Sequence, residues 1–216
     1  MIKSDSTVLF QGDSITDVGR KQDFEKTTYN FCLGGGYPAM VAGRLLVERP
    51  QDNLRFLNRA ISGNRIVDLV ARWKKDCINL KPDVVSIIEG LNDTAHETNF
   101  GDGVAPREAM KLYRFLIDYT LESLPGVQIV IGDPFVFTTS YGYEKWHEEV
   151  LLRSMLIKEM VQKYNLIFLP VREMFEKALE IAPEEYWTFD GVHPTVAGQM
   201  KIAQLWLDKV AYSDRS

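Results

Sequence analysis

The sequence predicts a three-layer α/β/α sandwich built on a five-stranded, mostly parallel sheet. Short apolar runs alternate with helix-length amphipathic segments along the chain, the pattern of βα units packed on both faces of one sheet. Two of those runs are nearly continuous in apolar residues, as strands buried on both faces are. With 216 residues there is material for one sizeable core and too little for two, so a single domain over 1–216 is expected.

The elements follow in order. Val8-Leu9-Phe10 is the first strand and Phe56-Leu57 the second; residues 84–88, 127–131 and 166–169 are the third, fourth and fifth. The clearest helix covers residues 66–80, with Ile66, Leu69, Val70, Trp73, Cys77 and Leu80 on one face and Arg72, Lys74 and Lys75 on the other, the 3.6-residue period of an amphipathic helix. Residues 107–124, 145–164 and 194–210 form three more, with Pro106 and Pro194 where a helix start tolerates proline. Lys81-Pro82 and Leu124-Pro125-Gly126 stop two of these helices. Two non-periodic stretches, 17–36 and 94–105, are expected as loops that wall a site.

Composition narrows the function. Hydrophobic residues make up 45%, charged residues 25%, and the net charge is -5, which argues against a nucleic-acid or anionic-membrane partner. A small neutral or weakly charged molecule is the expected ligand, and a homo-oligomer is compatible with the sequence. No apolar stretch reaches the roughly 18 residues a membrane span needs, and the N-terminus lacks a signal-peptide pattern. Cys32 and Cys77 are isolated thiols rather than a disulfide framework, so a reducing cytoplasm is expected.

Two segments can carry chemistry. Gly12-Asp13-Ser14-Ile15-Thr16 follows the first strand, which sets the Ser14 hydroxyl at the carboxyl end of the sheet, where α/β folds bind ligands. Read alone it is equally a strand-to-loop turn. In Asp190-Gly191-Val192-His193-Pro194, an acid three residues before a histidine can orient the imidazole and leave its other nitrogen to accept a proton from a serine. Read alone it is a polar loop leading into the last helix. Together they supply a nucleophile, a base and an orienting acid.

With two further blocks, the chain resembles the GDSL/SGNH hydrolases. Gly12-Asp13-Ser14 matches the nucleophile block, with Ile15 at the family's leucine. Ile61-Ser62-Gly63-Asn64 matches the glycine block, Gly90-Leu91-Asn92-Asp93 the asparagine block, and the segment from Asp190 to Pro194 the Asp-x-x-His-Pro block. The resemblance implies the flavodoxin-like sandwich of SGNH hydrolases and a serine esterase acting through an acyl-enzyme, without metal or organic cofactor. It assigns Ser14, Asp190 and His193 to the catalytic triad. The oxyanion hole falls to the backbone N–H groups of Ser14 and Gly63 and the Asn92 amide, with glycine at 63 letting a backbone donor approach the substrate without a Cβ in the way.

Finer wording around the blocks is similar to intracellular bacterial acetyl esterases that deacetylate xylo-oligosaccharides: Asp17 with Gly19-Arg20, Asp68-Leu69 with Ala71-Arg72-Trp73, Lys81-Pro82-Asp83, and Ala197-Gly198. This implies an acetylated sugar as substrate. The alternatives within the family are lysophospholipase, thioesterase and short-chain lipase activity; outside it, a non-catalytic ligand-binding module, which would be expected to have lost some of these residues. No amphipathic lid stands out, which favours short acyl groups, since a long chain gains about 0.8 kcal/mol per CH₂ only where an apolar groove receives it. Tyr29, Asn30, Tyr37, Asn99, Tyr141, Tyr143 and Trp187 are candidate sugar contacts, with Trp187 and Phe189 equally readable as core. Asp13 and Asp93 read as braces for the site loops. His96 and His147 lack metal-ligand spacing, Cys77 reads as a buried structural thiol, and Gly34-Gly35-Gly36 lacks the lysine of a phosphate loop.

Overall fold

The structure is a computed structural model and describes residues 2–21, 30–137 and 143–212. Strands β1 (Thr7–Gly12), β2 (Arg55–Asn58), β3 (Val84–Ile88), β4 (Gln128–Gly132) and β5 (Ile167–Leu169) form one sheet in the order β2-β1-β3-β4-β5, with every pair parallel. The described helices are α1 (Ser14–Asp17), α2 (Asn30–Leu33), α3 (Tyr37–Glu48), α4 (Ile66–Asp76), α5 (Leu91–Phe100), α6 (Pro106–Ser123), α7 (Glu144–Lys163), α8 (Val171–Ala178), α9 (Glu184–Trp187) and α10 (Val196–Trp206).

Strand order decides which helix lies on which face. Parallel crossovers are right-handed, so the step from β1 to its neighbour β2 puts α3 on one face. The return past β1 to β3 reverses direction and puts α4 on the other; α6 and α7 follow α4 as the sheet grows in the same direction. Alternating strand residues feed the two cores. Val8, Phe10, Phe56, Val84, Ile88, Val130 and Leu169 pack with Tyr37, Val41, Phe175 and Trp206. Leu9, Leu57, Val85, Ile87, Ile129 and Ile131 pack with Leu69, Trp73, Tyr113, Leu116 and Ile157. Each core holds a tryptophan whose N–H is satisfied: Trp206 donates to Ser86 Oγ at 3.1 Å and Trp73 to Thr120 Oγ1 at 2.9 Å, as a buried indole requires.

All five strands lie on the apolar runs that announced them. The helices differ in places. The 66–80 segment is α-helical only to Asp76: Cys77 leaves the helical region at φ -134°, and Ile78–Leu80 forms a 3-10 turn. Pro194 does not start the last helix, because it is bridged to Thr188; Thr195 caps α10 by accepting from Gly198 N. The first half of 94–105 is helix α5 rather than loop. Helices α3 and α8 had not been read from the sequence. The first follows Gly34-Gly35-Gly36 with Pro38 in its first turn, punctuation that reads as loop, and the second has only 8 residues. Among the described residues no helix is long and apolar enough to cross a membrane.

Phe10 tests the first core. It is wholly buried and meets the rings of Tyr37 and Trp206 at centroid distances of 5.5 and 5.6 Å. Phe10→Ala is expected to lower unfolding free energy by about 3–5 kcal/mol in urea titrations; a loss below about 1 kcal/mol would mean the site collapses freely around the deletion.

Candidate active site

The chain reverses its sheet direction at β1, which has β2 on one side and β3 on the other. That is the switch point at which ligands bind beyond the strands' carboxyl ends. The register pairs Gly12, the last residue of β1, with Ile88, the last of β3, so the loops after the two strands start level with each other. They carry Ser14 and Asn92.

Gly12 makes this possible. Its φ is 142°, and a Cβ there would lie 2.1 Å from the Ile88 carbonyl oxygen, a distance no side chain tolerates. Asp13 then caps α1, its Oδ1 accepting from Ile15 N at 2.9 Å. Ser14 is the first residue of that helix. Its own N–H, like that of Gly63, enters no hydrogen bond among the described residues.

The C-terminal block is a closed loop. Asp190 Oδ1 accepts from the backbone N–H groups of Val192 and His193 at 3.0 and 2.7 Å, and Oδ2 lies 2.7 Å from His193 Nδ1. Burial pushes the Asp190 carboxyl up, but the His193 N–H, its imidazole and the Val192 N–H outweigh this and hold it below the usual carboxylate range. The ionised acid therefore takes the proton on Nδ1, leaving Nε2 as an acceptor. Ser14 Oγ lies 2.9 Å from that Nε2 across 179 residues of chain. Phe189 stacks on the imidazole with ring centroids 5.5 Å apart and planes 15° from parallel.

The glycine block turns between Ile61 and Asn64, with Asn64 N donating to Ile61 O at 3.1 Å, and Ile61 N donating to Gly12 O at 3.1 Å. Gly63 has φ 82°, yet a Cβ there would meet nothing within 4 Å. The left-handed backbone conformation, not crowding by the protein, is what calls for glycine. Asn92, in the first turn of α5, donates through Nδ2 to Asn64 O at 2.9 Å and toward Asp13 Oδ2 at 3.4 Å. Ser14, Gly63, Asn92, Asp190 and His193 thus converge at the switch point.

Other candidates separate from the site. Tyr37 is wholly buried against Phe10 and is no sugar contact. Trp187 is core, its N–H donating to Ala178 O and Ala182 O, whereas Phe189 is 67% exposed. Asn99 is exposed on the last turn of α5 and Tyr143 stacks on Trp146; Tyr29, Tyr141 and the Asn30 side chain lie outside the described residues. His96 Nδ1 meets Asp102 at 3.0 Å, and His147 is exposed. Cys32 and Cys77 are buried and unpaired, burial pushing the Cys77 thiol up to about 12. No cluster of three potential metal ligands occurs among the described residues.

Sequence reading missed the polar ties beneath the site. Asp17 Oδ2 accepts from Ser62 N and Oγ at 2.9 and 2.8 Å, and Arg72 Nε donates to Asn64 Oδ1 at 2.7 Å. Both residues stood within the matched wording, so a signal existed. Glu89, at the end of an apolar strand run, was readable as a charge out of place. It is buried beside Asp13 and Asp93; burial and those two charges push it well above the carboxylate range.

Asp13 and Asp93 are also pushed up, each to about 6, chiefly by burial. The unfolded carboxyl titrates near 3.9, so as pH rises from about 4 to about 6 the unfolded chain loses its proton first and stability falls through that window. Asp93→Asn has no such proton to lose. Urea unfolding should show its stability relative to wild type rising between pH 4 and pH 6 and then levelling; a relative decline over that interval would contradict the buried-acid assignment.

The model of the GDSL-like lipase/acylhydrolase family matches residues 10–201. An acetylxylan esterase of Geobacillus stearothermophilus is 31% identical over 216 residues, 98% of this chain and 96% of that one. A structure from Parabacteroides merdae, described as a GDSL-like lipase, superimposes with a TM-score of 0.93 at 34% identity over 98% of both chains. Three catalytic mutants of the Geobacillus enzyme, with a serine, an aspartate or a histidine replaced by alanine, superimpose with TM-scores of 0.87, 0.87 and 0.88, at 31% identity over 96% of this chain and 95% of theirs. A family match over most of the chain, joined by relatives of this identity along its whole length, means that the chain belongs to the GDSL-like lipase/acylhydrolase family and is a carboxylic ester hydrolase of the serine-esterase type.

Proposed function

We propose that Ser14 is the nucleophile, His193 the base and Asp190 its orienting acid, and that the substrate is a short-chain ester, an acetyl group on a carbohydrate. The hydrogen-bonded chain from Ser14 Oγ through His193 to Asp190 carries the first part. Ser14 Oγ bonds to the ester carbonyl carbon as its proton passes to His193 Nε2. The oxyanion accepts from Ser14 N, Gly63 N and Asn92 Nδ2, each worth about 3 kcal/mol in the transition state. Collapse breaks the bond to the alcohol, which leaves with the proton from His193. Water, deprotonated by the same nitrogen, then releases the carboxylic acid and restores Ser14. Catalytic mutants at a serine, an aspartate and a histidine in a superimposable relative support these roles.

The substrate rests on different ground. The Geobacillus relative is an acetylxylan esterase, and Phe189 offers an exposed aromatic ring stacked beside His193, next to the group that must protonate the alcohol. Such a face suits the apolar side of a sugar ring. A cytoplasmic setting belongs to the same proposal, supported by two buried, unpaired thiols, and the two cores on one sheet support reading 1–216 as one domain.

Ser14→Ala should lower kcat at least about 1,000-fold with unchanged circular dichroism, and a fluorophosphonate should label Ser14 in mass spectra; labelling at another serine would remove it from the centre. For substrate, kcat/KM should fall from acetyl through butyryl to octanoyl esters of one alcohol, and acetate should be released from acetylated xylo-oligosaccharides. Phe189→Ala should raise KM for those sugars about 3- to 10-fold and leave a small aryl acetate nearly unaffected. A preference rising toward octanoyl without acetate release would point to a lipase or thioesterase.

A further inference from the structure

Asn92 has an amide whose two ends differ only in which atom is nitrogen, yet only the nitrogen end can stabilise an oxyanion. Two acceptors decide the matter. The Asn64 carbonyl lies 2.9 Å from Nδ2 and the Asp13 carboxylate oxygen Oδ2 lies 3.4 Å from it. A flipped amide would set Oδ1 against both and leave three lone-pair-bearing oxygens without a proton between them. The other Asp13 oxygen, Oδ1, is bound to Ile15 N at 2.9 Å, one residue beyond the nucleophile. One buried carboxylate therefore spans the nucleophile helix and the oxyanion amide.

We infer that Asp13 is a positioning residue that orients the Asn92 amide toward the oxyanion while fixing the helix that presents Ser14; this rests on the oxyanion reading of Asn92 given above. At 3.4 Å the Asp13 contact is at the weak end of hydrogen bonding, so that hydrogen is the one Asn92 can share with an incoming oxyanion, while the 2.9 Å bond to Asn64 keeps the amide in place. The surroundings preserve Asp13 as an acceptor. Burial and the neighbouring carboxylates push Glu89 toward its neutral form, which lessens its repulsion of Asp13, and His193 draws Asp13 toward its charged form.

Asp13→Asn is the informative substitution. A single amide cannot accept from both Ile15 N and Asn92 Nδ2: whichever way it turns, an NH₂ faces one of the two donors. The expected result is a kcat lowered about 10-fold or more, short of the roughly 100-fold expected for Asn92→Ala, with KM changed less than about 3-fold. The double variant Asp13→Asn/Asn92→Ala should be no slower than Asn92→Ala alone, because the amide that Asp13 orients is already removed and the carboxamide at position 13 is then free to turn its oxygen to Ile15 N and keep the cap of α1. The urea midpoint at pH 7 should be equal to or above wild type, since a buried charge is lost. Additive losses in the double variant, or wild-type kcat in Asp13→Asn, would overturn the inference. If Asn92→Ala itself keeps wild-type kcat, the oxyanion reading fails first, which separates the two.

Discussion

The absence of a side chain at position 12 is the constraint on which the site depends. Two parallel strands ordinarily end at whatever level their loops allow. Here Gly12 and Ile88 are the last paired residues of β1 and β3, and a Cβ on the first would come within 2.1 Å of the carbonyl oxygen of the second. The bare backbone lets the chain leave β1 directly against β3, so Asp13 and Ser14 emerge beside Gly90, Leu91 and Asn92. A larger residue would push the nucleophile loop outward by ångströms. Displacements of that size between reacting groups can lower rates about 100-fold.

What the strand ends bring together, polar ties then hold. Asp17 grips Ser62 with one carboxylate oxygen, Arg72 grips Asn64, Asn64 receives Asn92, and Asp13 spans α1 and Asn92. The ties join residues of the site's loops and of helices α1, α4 and α5, and each is partly or fully buried, where a hydrogen bond is stronger than in water and a missing partner is costly. Among the described residues, the Ser14–His193 contact is the only hydrogen bond from the nucleophile to the C-terminal block, but that block is rigid by its own means: Asp190 closes a ring on His193, and Phe137 N donates to Gly191 O at 2.8 Å. The histidine is thus placed by its own loop and not by the serine it serves.

The sheet was legible in the sequence because burial on both faces writes a short, nearly continuous apolar run, as in residues 84–88 and 127–131, bounded by helix-length amphipathic segments. The residues that converge on the site were legible because each sits just after a strand or just before a helix, flanked by glycine. What escaped was of two kinds. Helix α5 was read as loop since Asn92-Asp93-Thr94-Ala95-His96 mixes polar side chains without a wide apolar stripe, its fit being set by Arg153, which donates to Thr94 Oγ1 at 2.8 Å from another helix. Tyr37 reads in the sequence as a candidate sugar contact, because nothing local reveals that a tyrosine after three glycines turns inward onto Phe10. Both depend on partners more than 25 residues away, and no local pattern encodes them.

Three carboxyl groups, Asp13, Glu89 and Asp93, buried beneath an anion-stabilising site appear self-defeating, since each negative charge there opposes the oxyanion. The arrangement resolves through unequal protonation. Burial and the Asp13 and Asp93 charges push Glu89 well above the carboxylate range, toward its neutral form, while burial raises Asp13 and Asp93 to about 6. Asp13 is drawn down by His193, whose imidazolium forms at the same moment as the oxyanion. The charge beneath the site is therefore partly matched by the cation that catalysis generates, and the remainder is met by donors aimed at it in advance. Stability is lost to bury these acids. That loss is expected where orienting an amide and a nucleophile together matters more to the fold's work than the last kilocalorie of folding free energy.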